Sequence, residues 1–222
     1  MAGTGPDRDG LELDVLQVSV GPVLPGWPTG LVMHAAMQGD VLSDVTLAWS
    51  DDRPPGQPAD PGPWWVLDAV AQFLLVAGLR AEAQLAATGR DDLRSREPDR
   101  VARGRRIART VARCIRRSAA LRWSVRGVGI LPGSSGPDGD GESGDVWQRV
   151  TAWCDALDRL EDRPTAAGTE RPEVSGQQRE PVGLAELAAA LEGAELATAR
   201  LTVASADLRG VTVALPVGRH HE

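Results

Sequence analysis

The sequence predicts an α+β protein in which a small N-terminal antiparallel β-sheet precedes a helical bundle. Between residues 11 and 50, three short apolar runs show partial alternation and are separated by turn-forming glycine and proline. From residue 64 onward, apolar side chains instead recur at intervals of three and four residues, which is the period of an α-helix. Segments rich in proline, glycine and polar residues separate these regions.

These patterns give the predicted organisation of the chain. It consists of a disordered tail at 1–10, the sheet at 11–50, a linker at 51–63, the helical bundle at 64–217 with flexible loops at 132–144 and 163–182, and a second tail at 218–222.

Three strands are predicted from the runs LDVLQVSV, GLVMHAAMQ and DVLSDVTLAW, with Gly39-Asp40 as a tight turn between the second and the third. In the third strand, Val41, Val45 and Leu47 are expected to share one face. Residues 21–30 contain three prolines and three glycines, so a stiff loop without helix should join the first two strands.

Four helices are predicted in the bundle. The first covers 64–88 and stops at Gly89, and the second, which is rich in arginine, covers 98–126. The third covers 145–162, and the last covers 184–198. The buried stripe of the second helix is expected to consist of Val101, Gly104, Ile107, Val111, Cys114, Ser118, Leu121 and Val125.

The composition excludes several enzyme classes, because all 24 basic residues are arginine. A Walker A loop, a pyridoxal-phosphate enzyme and a Ser-x-x-Lys acyl enzyme each need a lysine. Cys114 and Cys154 have no cysteine or histidine at metal-ligand spacing nearby, so both are expected to be buried apolar side chains. His34 lies on an apolar strand without a second ligand. No metal site and no catalytic residue is therefore predicted.

The charge is unevenly distributed. Ten arginines and no acidic residue lie between Arg100 and Arg126, whereas the rest of the chain carries 14 arginines against 31 acidic residues. Such a block is either a solvated helix face or a docking surface for something acidic. The net charge of −7 and the lack of a nucleic-acid motif argue against nucleic acid as the partner. The candidate docking residues are Arg109, Arg113, Arg116 and Arg117.

The sequence shows no transmembrane segment. The first ten residues contain no apolar signal region, and the longest apolar stretch, Trp64–Leu79, contains Asp68 and Gln72 and is too short to span a bilayer. A cytoplasmic protein is therefore expected.

Four segments carry, in order, a resemblance to a known family. They are GPVLPGWPTGLV at 21–32 followed by Gly39-Asp40-Val41, RWSVRGVGIL at 122–131, GDVWQR at 144–149, and LAAALEGAELATARLTVASADL at 187–208. Together they resemble the large-subunit family shared by the [NiFe]-hydrogenases and the quinone-site subunit of respiratory complex I, the NADH:quinone oxidoreductase. In that family a Gly-Pro-x-His-Pro-x-x-His-Gly loop joins two N-terminal strands, and the first segment is similar to it.

The resemblance implies two sets of site residues and a set of partners. The quinone-loop-like residues are Gly21, Pro22, Leu24, Pro25, Trp27 and Gly30. The structural motif positions are Gly127, Gly129, Gly144, Asp145, Arg149 and Asp207. The implied partners are other subunits of a complex I-like or hydrogenase-like assembly, notably an iron–sulfur subunit. Such partners would hold the protein at the periphery of the inner membrane.

The sequence also departs from the family at the residues that carry its chemistry. Leu24 stands where the first loop histidine would be, Trp27-Pro28 occupy the region of the second, and the chain has no tyrosine. The cysteine pairs that hold nickel and iron in hydrogenases are absent as well. Quinone reduction needs a proton donor at the carbonyl, and this loop offers only apolar side chains and the Trp27 N–H.

We therefore expect a reduced, non-catalytic relative of the family that keeps the scaffold without the chemistry and holds no cofactor beyond a quinone contact at this loop. One alternative is a functional oxidoreductase subunit with an altered quinone site. Another is a binding or regulatory protein that uses its arginine-rich helix. The third is a generic helical protein with chance matches to the family.

Overall fold

A computed structural model of the chain describes residues 3–6, 12–51, 64–131, 144–160, 183–206 and 208. The described residues form an α+β fold with a four-stranded sheet and seven helices, which confirms the predicted fold class. The remaining linker, loop and tail segments, and Asp207, lie outside the described residues.

The sheet is antiparallel throughout, and its strands are neighbours in chain order. The strands are β1 (Gly3–Pro6), β2 (Glu12–Val20), β3 (Leu31–Gln38) and β4 (Val41–Trp49). The three predicted strands and the turn at Gly39-Asp40 are confirmed. The prediction of a disordered tail is wrong at residues 3–6, which form β1 and pair with residues 12–15 of β2. The sequence of residues 3–6 has no alternating pattern that would indicate a strand.

A β-bulge in β4 changes which residues of that strand face inward. His34 pairs with Thr46 but Ala36 pairs with Ser43, so β4 contains one extra residue at this point. Asp44 adopts a φ of +53° there, in the left-handed region. Because the bulge shifts the alternation, Leu42 is buried and Val41 is partly exposed, so the prediction that Val41 shares a face with Val45 and Leu47 is wrong.

The first predicted helix is two helices, α1 (Trp64–Val76) and α2 (Arg80–Leu93). Gly78 ends α1 with a φ of +79°, a conformation that glycine adopts without strain. The Leu79 N–H donates to the Leu74 carbonyl at 2.9 Å, and the Gly78 N–H donates to the Leu75 carbonyl at 3.2 Å. Both helix-terminal carbonyls are thereby satisfied, and the chain turns before the predicted end.

Gly89 lies inside α2 rather than at its end because α1, α2 and α3 meet there. A Cβ atom on Gly89 would lie 2.6 Å from Ile107 Cγ2 and 3.0 Å from Leu67 Cδ1. A Cβ atom on Gly104 would lie 3.0 Å from the Gly89 carbonyl oxygen. The two glycines therefore permit a close crossing of α2 and α3.

The arginine-rich segment forms α3 (Pro98–Arg117) and α4 (Ala119–Val125), so the predicted single helix is interrupted at Ser118. Ser118 leaves the helical conformation, and its hydroxyl accepts a hydrogen bond from the Leu121 N–H at 3.2 Å. A serine side chain can either cap a new helix or lie within a continuing one, and here Ser118 caps α4, so α3 ends before it.

The buried stripe of α3 differs from the prediction at Val101 and Ile107, which are only half-buried, and at Cys114. Ile115 is buried instead, and Cys114 is exposed. Cys154, on α5, is buried as predicted, and this burial raises the pKa of its thiol to about 12. The two cysteines therefore lie in different environments.

The C-terminal part of the described chain contains α5 (Val146–Asp158), α6 (Leu184–Leu191) and α7 (Leu196–Ser205). The predicted last helix breaks at residues 192–195, where Gly193 has a φ of +74°. This connection lies along the outer edge of β4: the Gly193 N–H donates to Leu42 and the Leu196 N–H donates to Asp40. Tertiary pairing with the sheet edge thus replaces helical hydrogen bonds.

Two apolar cores hold these elements together. The first core is formed by the five helices α1, α2, α3, α4 and α5. It includes an edge-to-face contact between Phe73 and Trp153, with ring centroids 6.3 Å apart. The second lies between the inner face of the sheet and α6, α7 and Leu131. Val203 of α7 belongs to the second core, and Leu201 packs on the first, so α7 connects them. None of the described helices is long and apolar enough to cross a membrane.

Candidate functional site

An open groove of about 310 Å³ lies along the C-terminal half of α3. Its lining consists of Arg109, Arg113, Arg116, Arg117 and Asp158. The structure therefore brings together all four arginines that the sequence singles out as docking candidates. They are neighbours because residues three and four positions apart share one side of a helix.

Arg116 ties the groove to α5. Its two guanidinium nitrogens lie 2.6 Å from Asp155 Oδ1 and 2.6 Å from Asp158 Oδ2. Partial burial opposes the charged form of Arg116, but the hydrogen bonds that it donates to Asp158 and Asp155 outweigh this effect and raise its pKa. Arg116 is therefore a structural residue of the groove wall, with both forks of its guanidinium in use.

Arg113 and Arg117 differ from Arg116 because both are exposed and neither forms an ion pair with another described residue. Their guanidinium groups retain their full hydrogen-bonding capacity for a carboxylate or phosphate. The groove thus combines two available arginines with a fixed frame.

The N-terminal half of the arginine block has a structural role. Asp92 of α2 is only 1% exposed, and its carboxylate accepts hydrogen bonds from Arg103 Nη2 at 2.7 Å and Arg100 Nε at 3.2 Å. The hydrogen bond from Arg103 makes the largest contribution to lowering the pKa of Asp92, and Arg100 adds to it, against the opposing effect of burial. These arginines hold α2 against α3.

Trp123 on α4 is 87% exposed. It lies between Arg122 and Arg126, both of which are exposed as well. These residues lie on α4 or directly after it, outside the lining of the groove.

The quinone-loop-like residues form a closed loop packed on α1. The Gly30 N–H donates to the Pro22 carbonyl at 2.9 Å, and Gly26 lies against Val76 and Gln72 of α1. Leu24 packs against the second core, while Pro22 and Pro25 are exposed. Gly21, with a φ of +101°, lies against Leu31.

Trp27 does not offer the free donor that the sequence suggests. Its side chain is 5% exposed, and its indole N–H donates to the Leu31 carbonyl at 2.8 Å. An indole has a single N–H donor, so this internal hydrogen bond leaves none for a ligand. The expectation that the loop presents the Trp27 N–H is therefore wrong.

Five of the six structural motif positions come together where α4, α5 and α7 meet. The Asp145 carboxylate accepts hydrogen bonds from the Gly127 N–H at 2.7 Å and the Gln148 N–H at 2.8 Å, and it caps α5. Gly129 lies against Thr202, where no larger residue would fit. The Gly144 N–H donates to the Leu131 carbonyl at 3.0 Å. The sixth position, Asp207, lies outside the described residues.

Arg149 is the buried centre of this junction, at 5% exposure. Its Nη2 and Nε atoms lie 2.8 and 3.1 Å from Ser205 Oγ, and its Nη1 atom lies 2.6 Å from the Gly144 carbonyl oxygen. Burial lowers the pKa of Arg149 to about 10, which still leaves it charged at neutral pH. The junction is therefore a structural polar network.

Sequence reasoning missed Asp155, Asp158 and Ser205. The two aspartates lie three residues apart on the polar face of α5, a spacing that could have indicated a pair. Nothing in the sequence pairs them with Arg116. His34 is exposed on the outer face of β3, and the described residues contain no group of three or more His, Cys, Asp or Glu that could hold a metal ion.

Comparison with known proteins gives no relative: no protein-family model, curated protein or solved structure matches the chain.

Proposed function

We propose that the chain is a docking component that attaches to an acidic protein partner through the groove on α3. In this proposal it is a reduced relative of the family that contains the complex I quinone-site subunit and the [NiFe]-hydrogenase large subunits. Its partners are subunits of such an assembly, notably an iron–sulfur subunit, and they hold it at the periphery of the inner membrane. It performs no quinone chemistry of its own.

The observation that carries the docking proposal is the open groove itself. Four arginines from one helix converge there, and two of them, Arg113 and Arg117, form no ion pair with another described residue. A cluster of exposed cations on a chain of net charge −7 attracts an acidic surface and raises the rate of encounter with it. Guanidinium forks then fix the orientation of the partner.

The assignment to the complex I-related family rests on the order of the sequence segments. The internal hydrogen bond of Trp27 to Leu31 supports the non-catalytic part of the proposal, since it occupies the side-chain N–H that the loop was expected to offer. A proton donor at the carbonyl is what efficient quinone reduction requires.

The proposal is tested by affinity capture of the tagged full chain from the cells that express it. The variant Arg113→Glu/Arg117→Glu reverses the two available arginines, and Arg122→Glu/Arg126→Glu is the matched control with the same change of charge outside the groove. We expect capture of the partner to fall at least about tenfold in the first variant, which corresponds to about 1.4 kcal/mol, and to fall less in the second.

Capture that survives the groove variant, with an unchanged circular dichroism spectrum, would contradict docking through this groove. Mass spectrometry of the captured proteins tests the family assignment separately. Complex I-like or hydrogenase-like subunits would support it, and their absence among the captured partners would overturn it.

A further inference from the structure

The docking groove has a geometry that indicates the chemistry of its partner. We infer that the groove receives an acidic α-helix whose carboxylates recur every four residues along one face. This inference rests on the docking function proposed above and specifies the segment that the partner supplies.

The arginines of the groove form a regular row. Arg109, Arg113 and Arg117 line the groove and succeed one another at intervals of four residues on a continuous helix. Four residues of an α-helix rise by about 6 Å, so the Cα atoms of this row are spaced at about that distance along the helix axis. A partner helix with Asp or Glu at the same interval would place its carboxylates at the matching spacing.

The fold already contains a related contact, in which one arginine of α3 binds two carboxylates of a neighbouring helix. α5 packs beside α3 and presents Asp155 and Asp158, which lie three residues apart on one of its faces. The Arg116 fork contacts both carboxylates at 2.6 Å. A partner helix in the groove would use the same guanidinium–carboxylate contact, but with one carboxylate for each of Arg113 and Arg117.

The groove favours an acidic helix over a polyphosphate. Asp158 lines the groove beside the arginines, so the local charge is mixed in sign. A nucleic-acid backbone carries only negative charge and has no cationic group to place opposite this carboxylate. A protein helix can meet both signs, because it can place a basic residue opposite Asp158 as well as acidic residues opposite the arginines.

The inference is tested with a synthetic helical peptide, rich in alanine, that carries three glutamates at intervals of four residues. A control peptide has the same composition, but its glutamates are spread around the helix. Binding of each fluorescently labelled peptide to the full chain is measured by fluorescence anisotropy at low salt, because exposed charge pairs are screened as salt rises. We expect the ordered peptide to bind about tenfold more tightly than the control peptide.

The variant Arg113→Gln/Arg117→Gln should reduce binding of the ordered peptide at least about tenfold, and Arg122→Gln/Arg126→Gln should change it less than about twofold. Equal affinity for the two peptides would overturn the inference. So would tighter binding of a DNA duplex, or of vesicles that contain anionic lipid, through the same two arginines. Loss of cellular capture together with equal peptide affinities would overturn the acidic helix while leaving the docking function supported. Unchanged capture would contradict the docking function itself.

Discussion

At the scale of single residues, the polar network around Arg149 illustrates how a buried charge is held when no carboxylate of the described residues binds it directly. Two of its nitrogens contact the Ser205 hydroxyl oxygen, which itself donates to the Thr202 carbonyl at 2.9 Å. Without these acceptors, the desolvation of the buried guanidinium would still destabilise the folded state, but no hydrogen bonds would offset it. Ser205 should therefore matter more than an ordinary helix serine.

We expect Ser205→Ala to lower the free energy of unfolding by about 1–3 kcal/mol in urea denaturation. Ser124→Ala is the matched control, because that exposed serine bonds only within its own helix, and it should cost less than about 0.5 kcal/mol. In a double-mutant cycle, Arg149→Met should remove most of the effect of Ser205→Ala. Additive effects of the two changes would show that the serine does not act through Arg149.

Asp92 provides a prediction with a defined pH dependence. Its pKa is lowered in the folded protein, so its ion pairs stabilise the fold above the unfolded-state pKa of about 4, and this contribution is lost as the pH falls through the lowered value. We expect Asp92→Asn to cost about 1–2 kcal/mol at pH 7, since both arginine partners remain partly hydrated.

The cost of Asp92→Asn, measured in urea from pH 7 to pH 2, should shrink at the acidic end. Asp91→Asn is the control, because that exposed aspartate pairs with Arg90 at the surface and should cost less than about 0.5 kcal/mol. A cost of Asp92→Asn that does not change between pH 7 and pH 2 would contradict the ionic origin of its effect.

At the scale of elements, the crossing of α2 and α3 depends on two glycines. Because a Cβ atom on Gly104 would lie 3.0 Å from both the Gly89 carbonyl oxygen and Leu93 Cγ, the helices must separate to accept one. We expect Gly104→Ala to cost about 1–3 kcal/mol of unfolding free energy, despite the higher helix propensity of alanine.

Ala102→Gly, on the exposed side of α3, measures only the difference in helix propensity between alanine and glycine. It should lower the free energy of unfolding by about 1 kcal/mol. Stabilisation by Gly104→Ala of the same size would show that the crossing is looser than the structure indicates.

The element boundaries also show which features the sequence specifies locally. Strands β2 to β4 follow from their alternation, and the capping box of α5 follows from Asp145 and Gln148, so these features could be predicted, unlike β1. The helix breaks at Gly78, Ser118 and Gly193 are harder to predict, because the helical pattern of apolar residues continues on both sides of each break. Gly89 suggests a helix end where the helix in fact continues. A glycine is needed at this position because Ile107 of α3 packs closely against it.

At the scale of the whole molecule, the sheet and the C-terminal helices depend on contacts that are distant in sequence. The Glu192 carboxylate accepts hydrogen bonds from the Asp44 N–H at 2.9 Å and the Val45 N–H at 3.1 Å, and so satisfies the bulge in β4. No local pattern in β4 or α6 indicates this pairing. The pairing of Glu192 with the bulge could not be predicted, because nothing in the sequence around Glu192 or Asp44 distinguishes them from ordinary surface residues.

The candidate site divides in the same way. The four arginines of the groove could be predicted, because they lie on one helix and their spacing follows from helix geometry. The anchoring of Arg116 to Asp155 and Asp158 could not, since it depends on how α5 packs against α3. The relation to the complex I quinone-site subunit and the hydrogenases stays a prediction.

The groove on α3 is the proposed docking face. Photo-crosslinking in living cells tests it most directly, with a photoreactive amino acid placed either at Arg113 or at Ala48 on the exposed outer face of β4. We expect a crosslinked partner from position 113 and none from position 48. The same partner from both positions, or a partner from position 48 alone, would contradict it.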